Sequence, residues 1–328
     1  MILKTVRWGI IGCGNVTERK SGPAFNKIEG SGLVAVMRRD IEKARDYAHR
    51  HKVARWYNDA DELIRDPEIN AVYVATPPLY HTEYAIRAMK AGKPVYVEKP
   101  MAAVYSDCTR MNRVAEETGM PLFVAYYRRS LPYFIKVKEL IDSNKIGNIL
   151  TVNIKLILKP RKEDYDQSNL PWRINRKIAG GGYFYDLACH QLDILDYFFG
   201  RILEAHGVFS NRKGLYDVED TVASSFLFEN GIAGTGLWSF VAGETSETDT
   251  IEITGDSGDI RFSAFDFSPI IIRTKDKITK LKPENPENIQ YCLIKDVVEE
   301  LRGLGKSPST GISGARTNKV MDMILQKL

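Results

Sequence analysis

Lys99 stands where an apolar run meets a proline, in Pro94-Val-Tyr-Val-Glu98-Lys99-Pro100. A lysine at such a point can stabilise negative charge developing on an alcohol oxygen and relay its proton. A structural pair with Glu98 is the alternative, at the cost of burying two charges. Farther along, Gly180-Gly181-Gly182 leads to Asp186 and then His190. Their spacing puts carboxylate and imidazole on one helix face, which Asp193 and Tyr197 continue. His190 can take or give a hydroxyl proton near neutral pH, and Asp186 can orient the ring or bind a substrate hydroxyl. A structural histidine is the plainer alternative. Asp193 could add a third metal ligand, but no other residue points to a metal. Gly12-Cys13-Gly14 opens the chain and completes the parts needed to pass a hydride between a nicotinamide and an alcohol carbon.

The glycine turn follows an apolar run and precedes a helix. Gly12 permits a tight turn, Gly14 lets a pyrophosphate approach the backbone, and the residues after it, Asn15 and Val16, begin a helix with free N–H groups. Thr17 stands at the third position of G-x-G-x-x-G, so the match is partial and a plain strand–turn–helix competes with it. The second strand ends Val34-Ala-Val-Met-Arg38-Arg39-Asp40. An acid there would bind the ribose 2′-OH and select NAD. Arg38, with Arg39, instead suits a 2′-phosphate, so NADP is favoured over NAD. The alternative is a solvated arginine pair ahead of a helix capped by Asp40. Thr76 and Pro77 end another strand at the ligand crevice, and His81 either touches the cofactor or caps the next helix. A cis Lys99–Pro100 bond would aim Lys99 into the crevice.

These residues need elements to hold them. Apolar runs at Val6–Ile11, Leu33–Met37, Ala71–Ala75, Pro94–Val97 and Leu122–Ala125 alternate with helical stretches Ile41–His51, Asp59–Arg65, His81–Ala91 and Tyr105–Thr118. Apolar strands joined by helical crossovers predict a parallel sheet covered on both faces. The pattern then turns to period two at Leu150–Leu158, Thr221–Phe228, Ile232–Val241, Thr250–Thr254 and Ile270–Thr274, with Asn230-Gly231 as a hairpin signal. The expected fold is α/β: a Rossmann domain over residues 1–124 and an α+β domain over 125–328 with an open, mainly antiparallel sheet. A helix over Tyr183–Phe199, ended by Gly200, covers one sheet face. Helices at Ile294–Leu304 and Gly314–Leu328 finish the second domain. Trp238 and Phe240 are expected on the other, uncovered face, which predicts a homo-oligomer through the sheet.

The chain has 328 residues and 44% hydrophobic content, enough for two cored domains. Lys+Arg total 46 against 42 Asp+Glu, a net charge of +4 without a long basic run. No nucleic-acid module accompanies it. Cys13, Cys108, Cys189 and Cys292 lack metal-ligand spacing and suit a reducing cytoplasm. Cys189 beside His190 is either a reactive thiol or a small buried filler. No signal peptide and no apolar run of about 20 residues is evident, so no membrane role is expected.

Taken in order, the motifs resemble the Gfo/Idh/MocA family of sugar and polyol oxidoreductases, nearly end to end. The resemblance rests on Gly12-Cys13-Gly14-Asn15-Val16, on Ala75-Thr76-Pro77-Pro78 with His81 and Glu83, on Ala91-Gly92-Lys93-Pro94-Val95 leading to Glu98-Lys99-Pro100, and on the triple glycine with Asp186, His190 and Asp193. It implies an active site between the two domains, catalytic roles for Lys99, Asp186 and His190, and a Glu98 that helps hold the nicotinamide ribose. It implies that Pro171-Trp172-Arg173 approaches cofactor or substrate, and that the sheets associate into dimers or tetramers. Thr17, Arg38 and Ala125-Tyr126-Tyr127-Arg128 depart from the family pattern. The expected activity is NADP-linked oxidation or reduction of a sugar, polyol or related ring. Its rivals are a redox-assisted glycosidase that retains NAD and a non-catalytic dinucleotide sensor; the sensor has no need of Lys99, Asp186 and His190 together.

Overall fold

In a computed structural model, which describes residues 2–328, six parallel strands form the first sheet. They are β1 (Val6–Ile11), β2 (Ser31–Met37), β3 (Arg55–Tyr57), β4 (Ala71–Val74), β5 (Val95–Val97) and β6 (Leu122–Val124), in the order β3-β2-β1-β4-β5-β6. This is the doubly wound order, and its reversal lies between β1 and β4, where such sheets take ligands. Strands β4, β5 and β6 are buried at every position, as a sheet covered on both faces requires. Trp8, Phe25, Tyr73 and Tyr96 pack into an aromatic cluster, with Tyr73 and Tyr96 stacked at 5.0 Å.

The second sheet has eight strands: β7 (Ile149–Ile157), β8 (Ile202–Ser210), β9 (Thr221–Phe228), β10 (Ala233–Ser239), β11 (Thr248–Gly255), β12 (Gly258–Phe262), β13 (Ile270–Thr274) and β14 (Ile278–Leu281). Their order is β14-β13-β12-β11-β7-β10-β9-β8, antiparallel except for the parallel β7–β10 pair. Asn230-Gly231 turns β9 into β10, with Gly231 at φ 85°. The helical segment expected over Tyr183–Phe199 opens as a π-helical turn at Phe184–Ala188, continues as an α-helix over Cys189–Phe199, and ends at Gly200 with φ 89°. It covers one sheet face: Trp238 donates to Gln191 Oε1 at 2.7 Å and packs edge-on against Phe184.

Two expectations change. Trp238 and Phe240 are not on the open face. Both are buried: Trp238 because the even positions of β10 point toward the covering helix, and Phe240, just past the strand, because it packs against Tyr183 at 5.7 Å. The open face carries Leu227 and Leu237 instead. The chain also divides differently from a cut at 124. One compact unit comprises 1–131 with 286–315, and the other 132–285 with 316–328. The helix expected to finish the second domain, observed at Tyr291–Leu301, therefore belongs to the first unit. Its N-terminal approach and its face explain why: Tyr96 bonds to Gln290 and Ser130 to Asp296.

Candidate active site

The glycine turn is built at the carboxyl end of β1. Gly12 has φ 93°, and a Cβ there would lie 2.7 Å from Thr76 Cγ2, so the turn packs against the end of β4 only as glycine. Gly14 is extended, and a Cβ there would meet nothing nearer than 3.9 Å. Its bare side is open to a close-approaching group. Thr17 takes the place of a third glycine, and its hydroxyl closes the turn by donating to Gly14 O at 2.8 Å and accepting from Gly14 N at 3.0 Å. Asn15 and Val16 head the five-residue helix Asn15–Arg19, and their N–H groups lie in its first turn, where no intrahelical acceptor exists. From the end of β2, Arg38 reaches back and donates to Cys13 O at 3.3 Å. Arg39 lies over the Tyr80 ring at 5.5 Å, and Asp40 caps the next helix by accepting from Lys43 N. Burial pushes the Cys13 thiol up to about 11 against the pull of Arg38, so it stays protonated. An open glycine face flanked by a guanidinium fits a phosphate-bearing dinucleotide.

The ends of β4 and β5 are tied together by His81. Its Nε2 faces Thr76 O at 2.7 Å, and its Nδ1 faces Pro100 O and Met101 O at 3.1 and 3.2 Å. The ring is fully buried. Both ring nitrogens face backbone carbonyls, and in the neutral ring that burial favours by lowering its pKa one of them donates. Thr76 and Pro77 lie where this tie begins. The Lys99–Pro100 bond is cis, and Lys99 is half-buried at the end of β5. Glu98 is buried; its Oε1 accepts from Tyr73 Oη at 2.5 Å and Gln290 Nε2 at 2.7 Å, and its Oε2 from Lys99 N at 3.1 Å. Gln290 was not evident in the sequence, where a glutamine almost two hundred residues from its partner carries no local signal.

Asp186 and His190 lie in the second unit, on the π-helical turn and the helix that continues it. Arg173 Nε sits 3.3 Å from Asp186 Oδ2 and its guanidinium stacks on Trp172 at 4.6 Å, so the Trp172–Arg173 loop is joined to the carboxylate. His190 is buried, with the Phe265 ring edge-on at 6.0 Å. Phe265 rides on a loop gathered by Asp249, whose carboxylate accepts from the N–H groups of Ala264, Phe265 and Asp266. Burial raises the Asp249 carboxyl above its usual range despite these bonds. Phe265 and Asp249 were also missed, since neither belongs to a recognisable motif. Asp193, though on the same helix, turns to Thr317 Oγ1 at 3.3 Å. Cys189 is buried, with its Sγ 3.4 Å from Asp186 O.

Residues 6–126 match an oxidoreductase family with an NAD-binding Rossmann fold, and residues 134–261 match the Gfo/Idh/MocA C-terminal domain. Oxidoreductase P35 of Formosa agariphila is 40% identical over 97% of this chain and 98% of its own length. The chain belongs to the Gfo/Idh/MocA oxidoreductase family. The 1,5-anhydro-D-fructose reductase of Ensifer adhaerens is 25% identical over 94% of this chain and 92% of its own. Among solved structures, a levoglucosan dehydrogenase in complex with NADH and levoglucosan shares the fold, with a TM-score of 0.87 at 23% identity over 98% of this chain and 96% of that one. This Gfo/Idh/MocA oxidoreductase contains, among its described residues, no helix long and apolar enough to cross a membrane.

Proposed function

We propose that this oxidoreductase uses NADP in preference to NAD and acts on a carbonyl or secondary alcohol of a sugar, polyol or related ring. The observation that carries the cofactor choice is Arg38, which leaves the end of β2 to lie against the glycine turn, where a 2′-phosphate would need a charged partner. Gly12, Gly14, Asn15 and Val16 would receive the pyrophosphate, Thr76, Pro77 and Glu98 the nicotinamide half, and Trp172 and Arg173 would close on it. The bound dinucleotide would supply the hydride donor or acceptor. Lys99 would hold the alkoxide-like oxygen by its ammonium charge, and His190 would exchange the hydroxyl proton. Asp186, steadied by Arg173, would bind a substrate hydroxyl or orient the imidazole. A carbohydrate suits the half-exposed Phe265 edge beside His190, since an aromatic ring packs well on the apolar face of a sugar.

The names of relatives point the same way: one is a reductase of an anhydro-sugar and another a dehydrogenase of levoglucosan. Association through the open sheet into a dimer or tetramer, and a cytoplasmic location, complete the reading. The test is a panel of sugars and polyols with NADP(H) and NAD(H), followed by nicotinamide absorbance. Turnover of at least one ring substrate, faster with the phosphorylated cofactor, is expected. A panel without turnover by either cofactor would overturn the substrate class.

A further inference from the structure

Gln290 lies just before the helix Tyr291–Leu301 and is 1% exposed. Its amide is oriented by two bonds: Tyr96 Oη donates to Oε1 at 3.0 Å, and Nε2 donates to Glu98 Oε1 at 2.7 Å. Tyr73 Oη, itself 3.1 Å from the Ser21 hydroxyl, donates to the same oxygen, and Lys99 N to the other. The donors thus converge on one carboxylate and fix its plane. The same short segment reaches the glycine turn's helix. Gln290 N donates to Lys20 O at 3.2 Å, and Asn288 Nδ2 donates to Arg19 O at 2.7 Å while Lys27 Nζ donates to its Oδ1. One segment from late in the chain is therefore bonded both to the helix following Gly14 and to the carboxylate preceding Lys99.

We infer that Gln290 is a positioning residue for the dinucleotide site, holding Glu98 oriented toward the nicotinamide ribose and in register with the glycine turn. The inference rests on the functional reading above. Around Gln290 the titratable groups are Glu98, Tyr73 and Tyr96, with His81, Lys99, Tyr127 and Asp296 next to them. Burial holds the Tyr73 and Tyr96 phenols well above their ordinary range, so neither loses its proton at working pH.

Gln290→Glu separates positioning from packing. When protonated, the new carboxyl can still accept from Tyr96 and donate to Glu98. When it ionises, two carboxylates face each other and repel, so the pair shares one proton with an upper apparent pKa well above an ordinary carboxyl. The measurement is the dissociation constant of NADPH and NADH by fluorescence, from mildly acidic to mildly alkaline pH, with circular dichroism at each point. Wild type should show little dependence with NADH, and with NADPH only the change brought by the cofactor's own 2′-phosphate, whose second pKa is about 6. Gln290→Glu should bind like wild type in acid and about tenfold or more weakly in alkali while remaining folded. Gln290→Met, which cannot donate, should bind about tenfold more weakly at every pH. A Gln290→Glu curve parallel to wild type would overturn the positioning role, whatever happens to thermal stability. A wild type that binds neither dinucleotide would instead overturn the functional reading, and this role with it.

Discussion

Lys99 and His190 carry the chemistry in the proposed reaction, one by charge and one by proton exchange. Lys99→Ala and His190→Ala should each lower turnover by about a hundredfold or more, the scale of a lost acid–base group. His190→Ala should keep its affinity for dinucleotide, since His190 lies in the second unit and not on the Rossmann sheet. Steady-state rates alongside cofactor titrations check both, and near-normal rates in both variants would remove the assignment. At Arg38, a charge-assisted pair with a 2′-phosphate is worth roughly 1.5–3 kcal/mol, or about a tenfold to hundredfold preference for NADPH. Arg38→Asp should reverse it, because a carboxylate repels the phosphate and accepts from a ribose hydroxyl. Equal binding of NADH and NADPH by wild type would reduce Arg38 to a surface residue. Arg38, Lys99 and His190 stand out in the sequence because each lies at a fixed distance from a local punctuation mark: a strand end, a proline or a glycine run. Gln290 and Asp249 were not, because their partners come from other parts of the chain and only folding brings them together. His81 stood out in the sequence, but a motif position does not say that its ring faces the backbone carbonyls of Thr76, Pro100 and Met101.

At the scale of elements, the short helix Asn15–Arg19 is latched to Ile41–His51. Glu18 accepts from Arg50 through both carboxylate oxygens, at 2.8 and 2.9 Å, and lies 2.7 Å from His51 Nε2; Tyr47 Oη donates to Thr17 O at 2.9 Å. The Arg50 bond chiefly, with His51 adding to it, lowers Glu18 from 4.5 to about 2. A depressed carboxylate stabilises the fold above its unfolded pKa and loses that contribution as pH falls through the folded one. Acid titration followed by circular dichroism should therefore show stability declining between about 4.5 and 2, and Glu18→Gln should flatten that part of the curve while lowering the midpoint of thermal unfolding at neutral pH. An unchanged acid limb in the variant would show that the latch contributes nothing. The helices at Ile41–His51 and Tyr105–Thr118 and the strands at Val6–Ile11 and Thr221–Phe228 were readable to the residue because apolar periodicity and end signals agree there. The three-residue β3 is too short to show a period. In β8, Leu203, Gly207, Val208 and Phe209 break the alternation, and β12 and β14 are short, at five and four residues. The place of Tyr291–Leu301 was misread because periodicity reports that a helix has an apolar face without saying which sheet receives it.

For the proposed assembly, the open face of the eight-stranded sheet is decisive, and it has two halves. Across β11, β12 and β13, Glu252, Asp259, Arg261 and Arg273 pair with one another. Across β8, β9 and β10, Val208 stands opposite Ala223 and Ala223 opposite Leu237, with Leu227 nearby. Val208 is 72% exposed and Leu237 38%. The ionic half already satisfies its charges within the chain, so it has little to gain from a second copy. The apolar half does gain, because covering exposed aliphatic groups releases them from water. Self-association should then depend on the apolar half and change little with salt, since exposed charges are what salt screens. Light scattering of the wild type at micromolar concentration should give at least twice the 37.1 kDa of one chain. Val208→Arg combined with Leu237→Arg places two cations on that half and, opposite the same cations of a second copy, should return the protein to a monomer without unfolding it, because both side chains point away from the core. A wild-type particle of one chain's mass would remove the oligomer, and association that survives both arginines would move the interface to another surface.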